Sequence, residues 1–395
     1  MSDARIAESG AAVVAPPTGS TVASATDSLL QIQFKKRFPA QRQAFVLEVE
    51  FTAAPGFTIL FGTSGAGKTT LLDCVAGLAT PESGRIAIGG DIWFDSVRRT
   101  NLAVAKRRLG YVFQDLALFP HLTVEQNVQY GLAHLPQAER RERVSAILRA
   151  FRVSHLAQRS VREISGGESQ RTALARTLVT DPSVLLLDEP LAALDAATKA
   201  KIIDDLREWN RAHRIPILYV THSREEVFAL GERVLVLDAG RIVAQGTPHE
   251  VVMAPLQETV AQLVGFENTF DATVEAVHPE RGTMRVALAT PGQTGPVLLE
   301  TPLVRAGVGS SLRVGIRAGD ILLATSLPQG LSARNVIPGR ILSLQQRDVI
   351  VSARVFCRVE MEVHLTLAAR DSLQLAPGRE VWLVIKTHSC HLMQR

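Results

Sequence analysis

The stretch Gly62–Thr69 carries residue types from which a protein can build a phosphate-binding site, in the pattern G-x-x-x-x-G-K-[ST]. An apolar run at 57–61 predicts a buried strand before it, and 70–76 predicts a helix after it. Glycines let backbone N–H groups converge on an oxyanion, and a helix N-terminus adds positive potential. We expect Lys68 to contact the β- and γ-phosphates of a nucleotide and Thr69 to contact Mg²⁺. The predicted phosphate-binding residues are Gly62, Thr63, Ser64, Gly65, Ala66, Gly67, Lys68, Thr69 and Thr70.

Two carboxylates follow a second apolar stretch. Residues 184–187 read Val-Leu-Leu-Leu, which is typical of a strand at the centre of a parallel sheet, and Asp188 and Glu189 come next. Beside a phosphate loop, the first carboxylate can hold Mg²⁺ and the second can polarise an attacking water. His222 ends the apolar stretch 217–221, at the sheet edge where open α/β sheets bind ligands. We therefore expect Glu189 to act as a general base and His222 to contact the γ-phosphate.

A serine and two glycines mark the start of another predicted helix, in the Ser-Gly-Gly-Glu stretch at 165–168. These residue types form a simple helix N-cap, and the same types can bind an anion at a helix N-terminus. Taken alone, the residues favour the N-cap. Because one nucleotide already has its phosphate loop, a second anion site would imply a second partner.

Composition restricts the class of protein. The length of 395 residues predicts two or three domains, and 46% apolar with 21% charged residues is ordinary for a soluble globular protein. No apolar run reaches the roughly 18–20 residues of a membrane span, and no signal-peptide pattern is present, so we expect a cytosolic protein. Three distant cysteines fit a reducing compartment. The net charge of +4 does not indicate nucleic-acid binding, and we expect short basic runs such as 106–108 to be solvated.

The spacing of apolar residues predicts the secondary structure of the rest of the chain. Residues 1–27 lack it and are predicted to be a disordered extension, whereas alternating patterns predict strands from Leu29 onward. Phe38 has two alternative roles, because its aromatic ring can stack on adenine or pack against the end of a strand. The segment 115–165 has helical spacing and predicts a helical insertion within an α/β core. Short strand patterns with Gly and Pro punctuation predict β-barrel-like modules near the C-terminus, at 272–277, 284–288, 311–316 and 321–324.

Six motifs in one order across residues 29–265 resemble the ATP-binding subunits of ABC transporters. They are the phosphate loop, Gln114, the Ser-Gly-Gly-Glu stretch, Asp188-Glu189, Asp195 and His222. The resemblance implies that Gln114 senses Mg²⁺ and the γ-phosphate, that Asp195 lies in a loop at a dimer interface, and that His222 is a switch residue. It also implies a signature that contacts ATP held by the other subunit, formed by Ser165, Gly166, Gly167 and Glu168.

The same resemblance implies cofactors, partners and a location. The cofactors are ATP and Mg²⁺, with Thr69, Asp188 and Gln114 as the magnesium residues. The partners are a second ATPase subunit, integral-membrane permease subunits and a periplasmic molybdate-binding protein, and no nucleic acid. The location is the cytoplasmic face of the inner membrane. Ile164 and Glu168 depart from the usual Leu and Gln of the signature, and Phe38 stands where the adenine-stacking residue is often Tyr.

Two motifs near the C-terminus indicate which class of solute is transported. Ser-Ala-Arg-Asn at 332–335 and Ile-Lys-x-x-Ser at 385–389 resemble the molybdate-binding Mop modules of molbindins, over about 330–393. Arg and Lys charge, a Ser hydroxyl and backbone N–H groups suit a tetrahedral dianion. By resemblance the oxyanion candidates, in sites formed between subunits, are Ser332, Arg334, Lys386 and Ser389. The alternative is a purely structural dimerisation barrel. The nearby cluster of two His and one Cys at 388–391 is weak evidence for a metal, since it lacks a fourth ligand.

Together these observations predict an α/β P-loop NTPase of the ABC type with a helical subdomain, followed by a C-terminal all-β, OB-like Mop barrel. The predicted parts are an extension (1–27), an ATP-binding domain (28–265), a β-rich connecting or regulatory segment (266–329) and a Mop domain (330–393). The predicted function is ATP hydrolysis coupled to import of molybdate, with tungstate as a further cargo. The alternative is an importer of sulfate, thiosulfate or another small solute, with a structural tail. A DNA-repair or chromosome ATPase would need coiled-coil or zinc insertions, which 70–164 lacks.

Overall fold

The chain forms two compact units, which meet in the sequence between Pro248 and His249. Each has its own hydrophobic core. The predicted extension, 1–27, lies outside the described residues, and the four-part division stays a prediction. The computed structural model describes residues 29–38, 45–253, 255, 258–290, 295–347 and 349–393.

The first unit is built around an eleven-stranded sheet with the order β6-β5-β4-β1-β2-β11-β10-β3-β9-β8-β7. Its strands are β1 (Leu30–Phe38), β2 (Phe45–Ala53), β3 (Gly56–Gly62), β4 (Ser83–Ile88), β5 (Asp91–Asp95), β6 (Thr100–Asn101), β7 (Leu109–Val112), β8 (Val184–Asp188), β9 (Pro216–Val220), β10 (Arg233–Asp238) and β11 (Arg241–Gly246). The strands from β10 to β7 are parallel neighbours. β1, β2, β4, β5 and β6 form an antiparallel part. The parallel part therefore brings the carboxyl ends of β3, β8 and β9 to one edge.

Helices complete the first unit. They are α1 (Lys68–Ala76), α2 (Val124–Gln129), α3 (Gln137–Ala150), α4 (Gly166–Leu178), α5 (Ala196–His213) and α6 (Arg224–Leu230). α2 and α3 lie between β7 and β8 in the sequence and pack against each other and against α4. A capping box between Thr123 and Gln126 begins α2. The predicted helical insertion in an α/β core is confirmed.

The strands that lead to the predicted site are buried along their whole length. This holds for β3, β8 and β9. Continuous apolar strands are expected where helices cover both faces of a parallel sheet. The rigid strands thus fix the positions of the loops that follow them.

A basic residue of the run at 106–108 lies in this interior. Arg107 is only 3% exposed, and its guanidinium donates to the carbonyl oxygens of Cys74 (3.2 Å) and Val75 (2.7 Å) in the last turn of α1. The expectation of a solvated basic run is therefore wrong for Arg107, while the neighbouring Arg108 is exposed. Carbonyl groups at a helix C-terminus have no partner within the helix, so they can accept from a buried cation.

The second unit consists of two five-stranded sheets that share one core. Its helical segments are a π-helical turn (His249–Met253), α7 (Glu258–Leu263) and α8 (Leu367–Ser372), together with short 3₁₀ turns at Pro279–Arg281, Ala318–Asp320 and Thr387–Ser389. Its strands are β12 (Asn268–His278), β13 (Thr283–Leu288), β14 (Val297–Pro302), β15 (Ser311–Ile316), β16 (Ile321–Ala324), β17 (Asn335–Arg347), β18 (Ile350–Phe356), β19 (Glu360–Thr366), β20 (Glu380–Ile385) and β21 (His391–Met393). The predicted all-β C-terminal architecture is confirmed, and β14 is a strand that the sequence pattern did not indicate.

The two sheets exchange their last strands. The first sheet has the order β14-β13-β12-β15-β21 and the second β16-β20-β17-β18-β19. β16 thus pairs with β20, and β21 at the end of the chain pairs with β15. The segments 266–329 and 330–393 therefore fold around one common core.

Candidate functional site

The phosphate loop lies between β3 and α1, as the sequence predicts. Gly67 is the N-cap of α1 with φ 102°, and no side chain caps this helix. A Cβ at Gly67 would lie 3.0 Å from the Phe45 ring, whereas a Cβ at Gly65 would meet nothing within 4 Å. The first N–H groups of α1 are thus available to an anion, and the loop has open space in front of Gly65.

Lys68 is held inside this loop. Its ammonium donates to the carbonyl oxygens of Gly62 at 3.0 Å and Thr63 at 2.8 Å. Burial lowers the pKa of Lys68, and the negative charges of Glu189 and Asp188 act in the opposite direction. A bound phosphate would add negative charge beside this ammonium and favour its protonated form.

Asp188 ends β8 and is 5% exposed. Burial raises the pKa of Asp188, and a hydrogen bond from the Thr69 side chain partly offsets the effect. The structure thus joins the two residues predicted to hold Mg²⁺. A buried carboxylate next to a hydroxyl is an oxygen-rich place for a hard cation that keeps waters and phosphate oxygens as its other ligands.

Glu189 and His222 face each other at the ends of neighbouring strands. Nδ1 of His222 lies 3.3 Å from Oε2 of Glu189, and the two side chains are 66% and 22% exposed, respectively. Glu189 has a positive φ of 45°, and its N–H donates to the carbonyl oxygen of Val220 at 3.1 Å. Non-glycine residues in this conformation cost energy and are concentrated at functional sites. The strand end therefore directs the Glu189 carboxylate toward His222.

Most of the predicted nucleotide residues converge on one open cleft of about 580 Å³. Its lining residues are Phe38, Phe45, Ser64, Gly65, Gly67, Lys68, Thr69, Thr70, Gln114, Asp188, Glu189 and His222. Gly62, Thr63 and Ala66 belong to the loop but do not line the cleft.

Phe45 also lines the cleft, and it is not part of any of the sequence motifs. It pairs with Phe38 in the register of β1 and β2, and their ring centroids lie 6.1 Å apart. The ammonium of Lys36 lies 5.0 Å from the Phe38 centroid. Alternation in both strands was the signal available in the sequence, because it implies that the two chain segments pair at their Phe ends.

The predicted signature lies away from this cleft. Ser165 is the N-cap of α4, and its side chain accepts from the N–H of Glu168. The Glu168 carboxylate in turn accepts from the Ser165 N–H at 2.7 Å and from its hydroxyl at 2.8 Å. These hydrogen bonds lower the pKa of Glu168. Neither Ser165, Gly166, Gly167 nor Glu168 lines the cleft.

Asp195 is a helix cap in the same way. Its carboxylate accepts from the N–H of Thr198 at 3.0 Å at the start of α5. Hydrogen bonds from the Thr198 side chain and from its N–H lower the pKa of Asp195. It is absent from the lining of the cleft. Within one chain, the signature and Asp195 are thus not brought to the nucleotide residues.

The oxyanion candidates lie in the second unit. Asn335 at the start of β17 pairs with Ile385 at the end of β20, so Arg334 and Lys386 flank the same end of this strand pair. Both are exposed, as is Ser332, whereas Ser389 is 7% exposed. Two cations therefore neighbour each other at a sheet end that is open to solvent.

No group of three or more His, Cys, Asp or Glu side chains that could hold a metal occurs among the described residues. Cys390, in the cluster considered as a metal site from the sequence, is buried, and its N–H donates to the Thr387 carbonyl oxygen. Asp188 and Thr69 are compatible with Mg²⁺ because this ion needs only one or two protein ligands when phosphate is present.

Comparison with known proteins gives the family. Residues 47–192 match the family model of the ABC transporter. The molybdenum import ATP-binding protein ModC of Rhizobium meliloti is 39% identical over 346 residues, which cover 87% of this chain and 95% of that protein. This chain belongs to the ModC family of ABC transporter ATP-binding proteins. The resemblance found in the sequence motifs is therefore confirmed.

Further matches extend over the length of this ModC-family chain. ModC 1 of Azotobacter vinelandii is 38% identical over 364 residues, 89% of this chain and 97% of that protein. Residues 331–392 match the TOBE domain. The structure of cbiO1 from Clostridium perfringens, part of an ABC transporter complex, aligns with a TM-score of 0.51 and 30% identity, over 57% of this chain and 90% of that one. The predicted fold class is confirmed for both parts of the chain.

In the part of the chain that the structure describes, none of the helices has the length and apolar character needed to cross a membrane.

Proposed function

We propose that this chain is the ATP-hydrolysing, energy-coupling subunit of a molybdate importer. The observation that carries the proposal is the cleft in which the phosphate loop, Asp188, Glu189 and His222 meet, in a chain 39% identical to a molybdenum import ATP-binding protein. ABC-family ATP hydrolysis coupled to import is the activity expected of such a chain.

The phosphate loop binds the nucleotide. Backbone N–H groups of the loop and of the first turn of α1 contact the phosphate oxygens, and Lys68 supplies positive charge from its buried position. Phe38 and Phe45 line the other side of the cleft, where an adenine ring can stack on an aromatic face.

Glu189 is the general base of this proposal. Its carboxylate takes a proton from the water that attacks the γ-phosphate, and such help is typically worth ~10²–10⁴ in rate. His222, 3.3 Å from Glu189, orients this carboxylate and contacts the γ-phosphate. Gln114 lines the cleft from the loop after β7 and contacts both the γ-phosphate and the metal region.

Thr69, Asp188 and Gln114 are the residues that would hold Mg²⁺. When bound, Mg²⁺ neutralises developing charge on the phosphate oxygens. The Thr69–Asp188 hydrogen bond keeps the two protein oxygens together at the end of β8.

The separation of the signature from the cleft supports a working dimer. Ser165, Gly166, Gly167, Glu168 and Asp195 would complete the site of a second copy. A separate integral-membrane permease and a periplasmic molybdate-binding protein would complete the importer, and the chain would act at the cytoplasmic face of the inner membrane. Closure of the two copies around ATP would then drive the permease.

The second unit is proposed to respond to the cargo. Ser332, Arg334, Lys386 and Ser389 would bind molybdate or tungstate through cation charge and hydroxyl groups. The Mop domain at 330–393, the segment 266–329, the ATP-binding domain at 28–265 and the extension at 1–27 remain our proposed division of the chain.

Cellular molybdenum content tests the proposal. Cells that lack this chain should contain less molybdenum in limiting molybdate, and the wild-type gene should restore it, as measured by elemental mass spectrometry. Glu189→Gln should not restore it, whereas the control Glu225→Gln, an exposed carboxylate of α6, should. Unchanged molybdenum content together with reduced sulfate uptake would contradict the proposal and favour a different cargo.

A further inference from the structure

The second unit is an internal repeat of two modules. The first module comprises residues 265–324 with β12–β16, and the second comprises residues 332–393 with β17–β21. Asn268 pairs with Ile316 in the first module, and Asn335 pairs with Ile385 in the second. β12 and β17 are interrupted by a bulge at the same point after these asparagines. Each last strand crosses to the other module, so the two modules are related by a reciprocal exchange.

The two asparagines form reciprocal bridges between the modules. The Asn268 amide donates to the Glu362 carbonyl oxygen at 2.8 Å and accepts from the Glu362 N–H at 2.6 Å. The Asn335 amide does the same with the backbone of Glu300, at 2.9 and 2.6 Å. Glu300 and Glu362 hold the same place in β14 and β19. The two modules thus repeat these individual hydrogen bonds as well as the strand order. The repeated contacts define which residues of the first module are equivalent to which residues of the second.

This equivalence assigns a counterpart to every oxyanion candidate. Arg317 corresponds to Lys386, since each directly follows the isoleucine that pairs with an asparagine and precedes a short 3₁₀ turn. Counting back from the asparagines, Glu267 corresponds to Arg334. The remaining counterparts are Gly265 for Ser332 and Asp320 for Ser389. The first module therefore places carboxylates where the second has an arginine and a serine.

The Glu267 carboxylate is already engaged by its own module. Its Oε2 accepts from the N–H of Ala318 at 2.9 Å. The adjacent Arg317 lies against the Phe266 ring, with 4.2 Å from Cζ to the centroid, and donates to the Val252 carbonyl oxygen at 2.5 Å. A carboxylate oxygen and an oxyanion oxygen accept from N–H groups in the same way. An oxyanion at this place in the first module would have to compete with the Glu267 carboxylate for the same N–H group, and the negative charge of Glu267 would repel it.

We propose that Glu267 is a built-in anion that occupies, in the first module, the position that an external tetrahedral oxyanion takes in the second. Each chain then binds one molybdate instead of the two that an exact repeat would bind. This inference rests on the oxyanion part of the proposed function. The two modules differ in charge at two equivalent places, by a reversal at Glu267 against Arg334 and by the added carboxylate of Asp320 against Ser389.

Equilibrium dialysis of the full-length chain with molybdate, followed by elemental mass spectrometry, measures the stoichiometry. The wild type should bind one molybdate per chain. Arg334→Glu copies the first module and should weaken binding by about tenfold to a hundredfold, the loss of one charge-assisted contact. Arg285→Glu, the same charge change at an exposed place on β13, should leave binding unchanged. The double variant Glu267→Arg, Asp320→Ser should bind a second molybdate.

Hydrogen exchange gives a readout that does not require the double variant to fold. In Arg334→Glu the new carboxylate should accept from the Thr387 N–H and slow its exchange, because Glu267 accepts from the N–H of Ala318 at the equivalent place. Two molybdates per wild-type chain, unaltered binding in Arg334→Glu, or one molybdate in a folded double variant would each overturn the inference alone. No molybdate bound to the wild type would overturn both the inference and the oxyanion part of the proposed function, and would leave the ATPase proposal in place.

Discussion

Arg107 provides a test of what holds the phosphate-loop helix in place. Its guanidinium lies behind the C-terminus of α1 and donates to acceptors from three chain segments. These are the carbonyl oxygens of Leu102 (3.0 Å), Cys74 (3.2 Å), Val75 (2.7 Å) and Trp93 (3.4 Å), and the side-chain oxygen of Asn101 (2.9 Å). Burial lowers the pKa of Arg107, so the cation depends on these contacts for its stability. Removing it would leave buried carbonyl groups without a donor.

The size of the effect follows from these contacts. A hydrogen bond from a charged donor contributes about 1.5–3 kcal/mol, and contacts within one network do not add. Arg107→Met keeps much of the apolar side-chain volume and removes all the donors, so we expect a loss of about 3–5 kcal/mol, in the range of buried-network mutations. For a unit of 150–250 residues this corresponds to a Tm lower by about 6–20 °C.

Arg108 is the matched control. Its side chain is 74% exposed, and its ion pair with Asp181 spans 3.9 Å, so Arg108→Met should cost at most about 1 kcal/mol. Thermal unfolding of both variants and the wild type by differential scanning calorimetry makes the comparison. If Arg107→Met and Arg108→Met lowered Tm equally, the hydrogen bonds of Arg107 would not stabilise the α1 region and our reasoning would fail.

Further predictions concern catalysis, thiols and truncation. Glu189→Gln should lower the ATP hydrolysis rate by ~10²–10⁴ and keep ATP binding, measured by steady-state kinetics and calorimetry; near-normal turnover would exclude Glu189 as the base. All three cysteines are buried, and burial raises the pKa of Cys74 and Cys390 to about 12. Their thiols should resist alkylation by iodoacetamide at pH 8 in the folded chain and react when the chain is unfolded in urea. Rapid alkylation of the folded chain would contradict this prediction. A chain truncated after residue 329 should aggregate, because the truncation removes half of a shared core. A chain truncated after Pro248 should stay soluble and bind ATP, because it keeps the whole first unit. Equal solubility of the two truncated chains would contradict the common core.

The parts of the site that are local in sequence could be predicted from it. The phosphate loop, the Asp188-Glu189 pair and the position of His222 depend on a strand and the few residues that follow it, and the structure places them in one cleft. Arg107 could not be predicted in this way. Its acceptors include Cys74 and Val75, more than thirty positions away, and a basic residue is buried only where such distant carbonyl groups converge.

The second unit shows why strand patterns in a sequence predict a fold class more readily than they predict which strands pair. Short strand patterns with Gly and Pro punctuation predict β12, β13, β15 and β16, but they do not determine which strand lies beside which. In the structure, the pairing of β16 with β20 and of β21 with β15 is fixed by a core common to both modules and by the amides of Asn268 and Asn335. Each asparagine satisfies backbone groups of the opposite module, so neither module can reach its native contacts alone. A sequence match confined to 331–392 thus describes half of a structural unit, because the core of that half also contains residues of the first module.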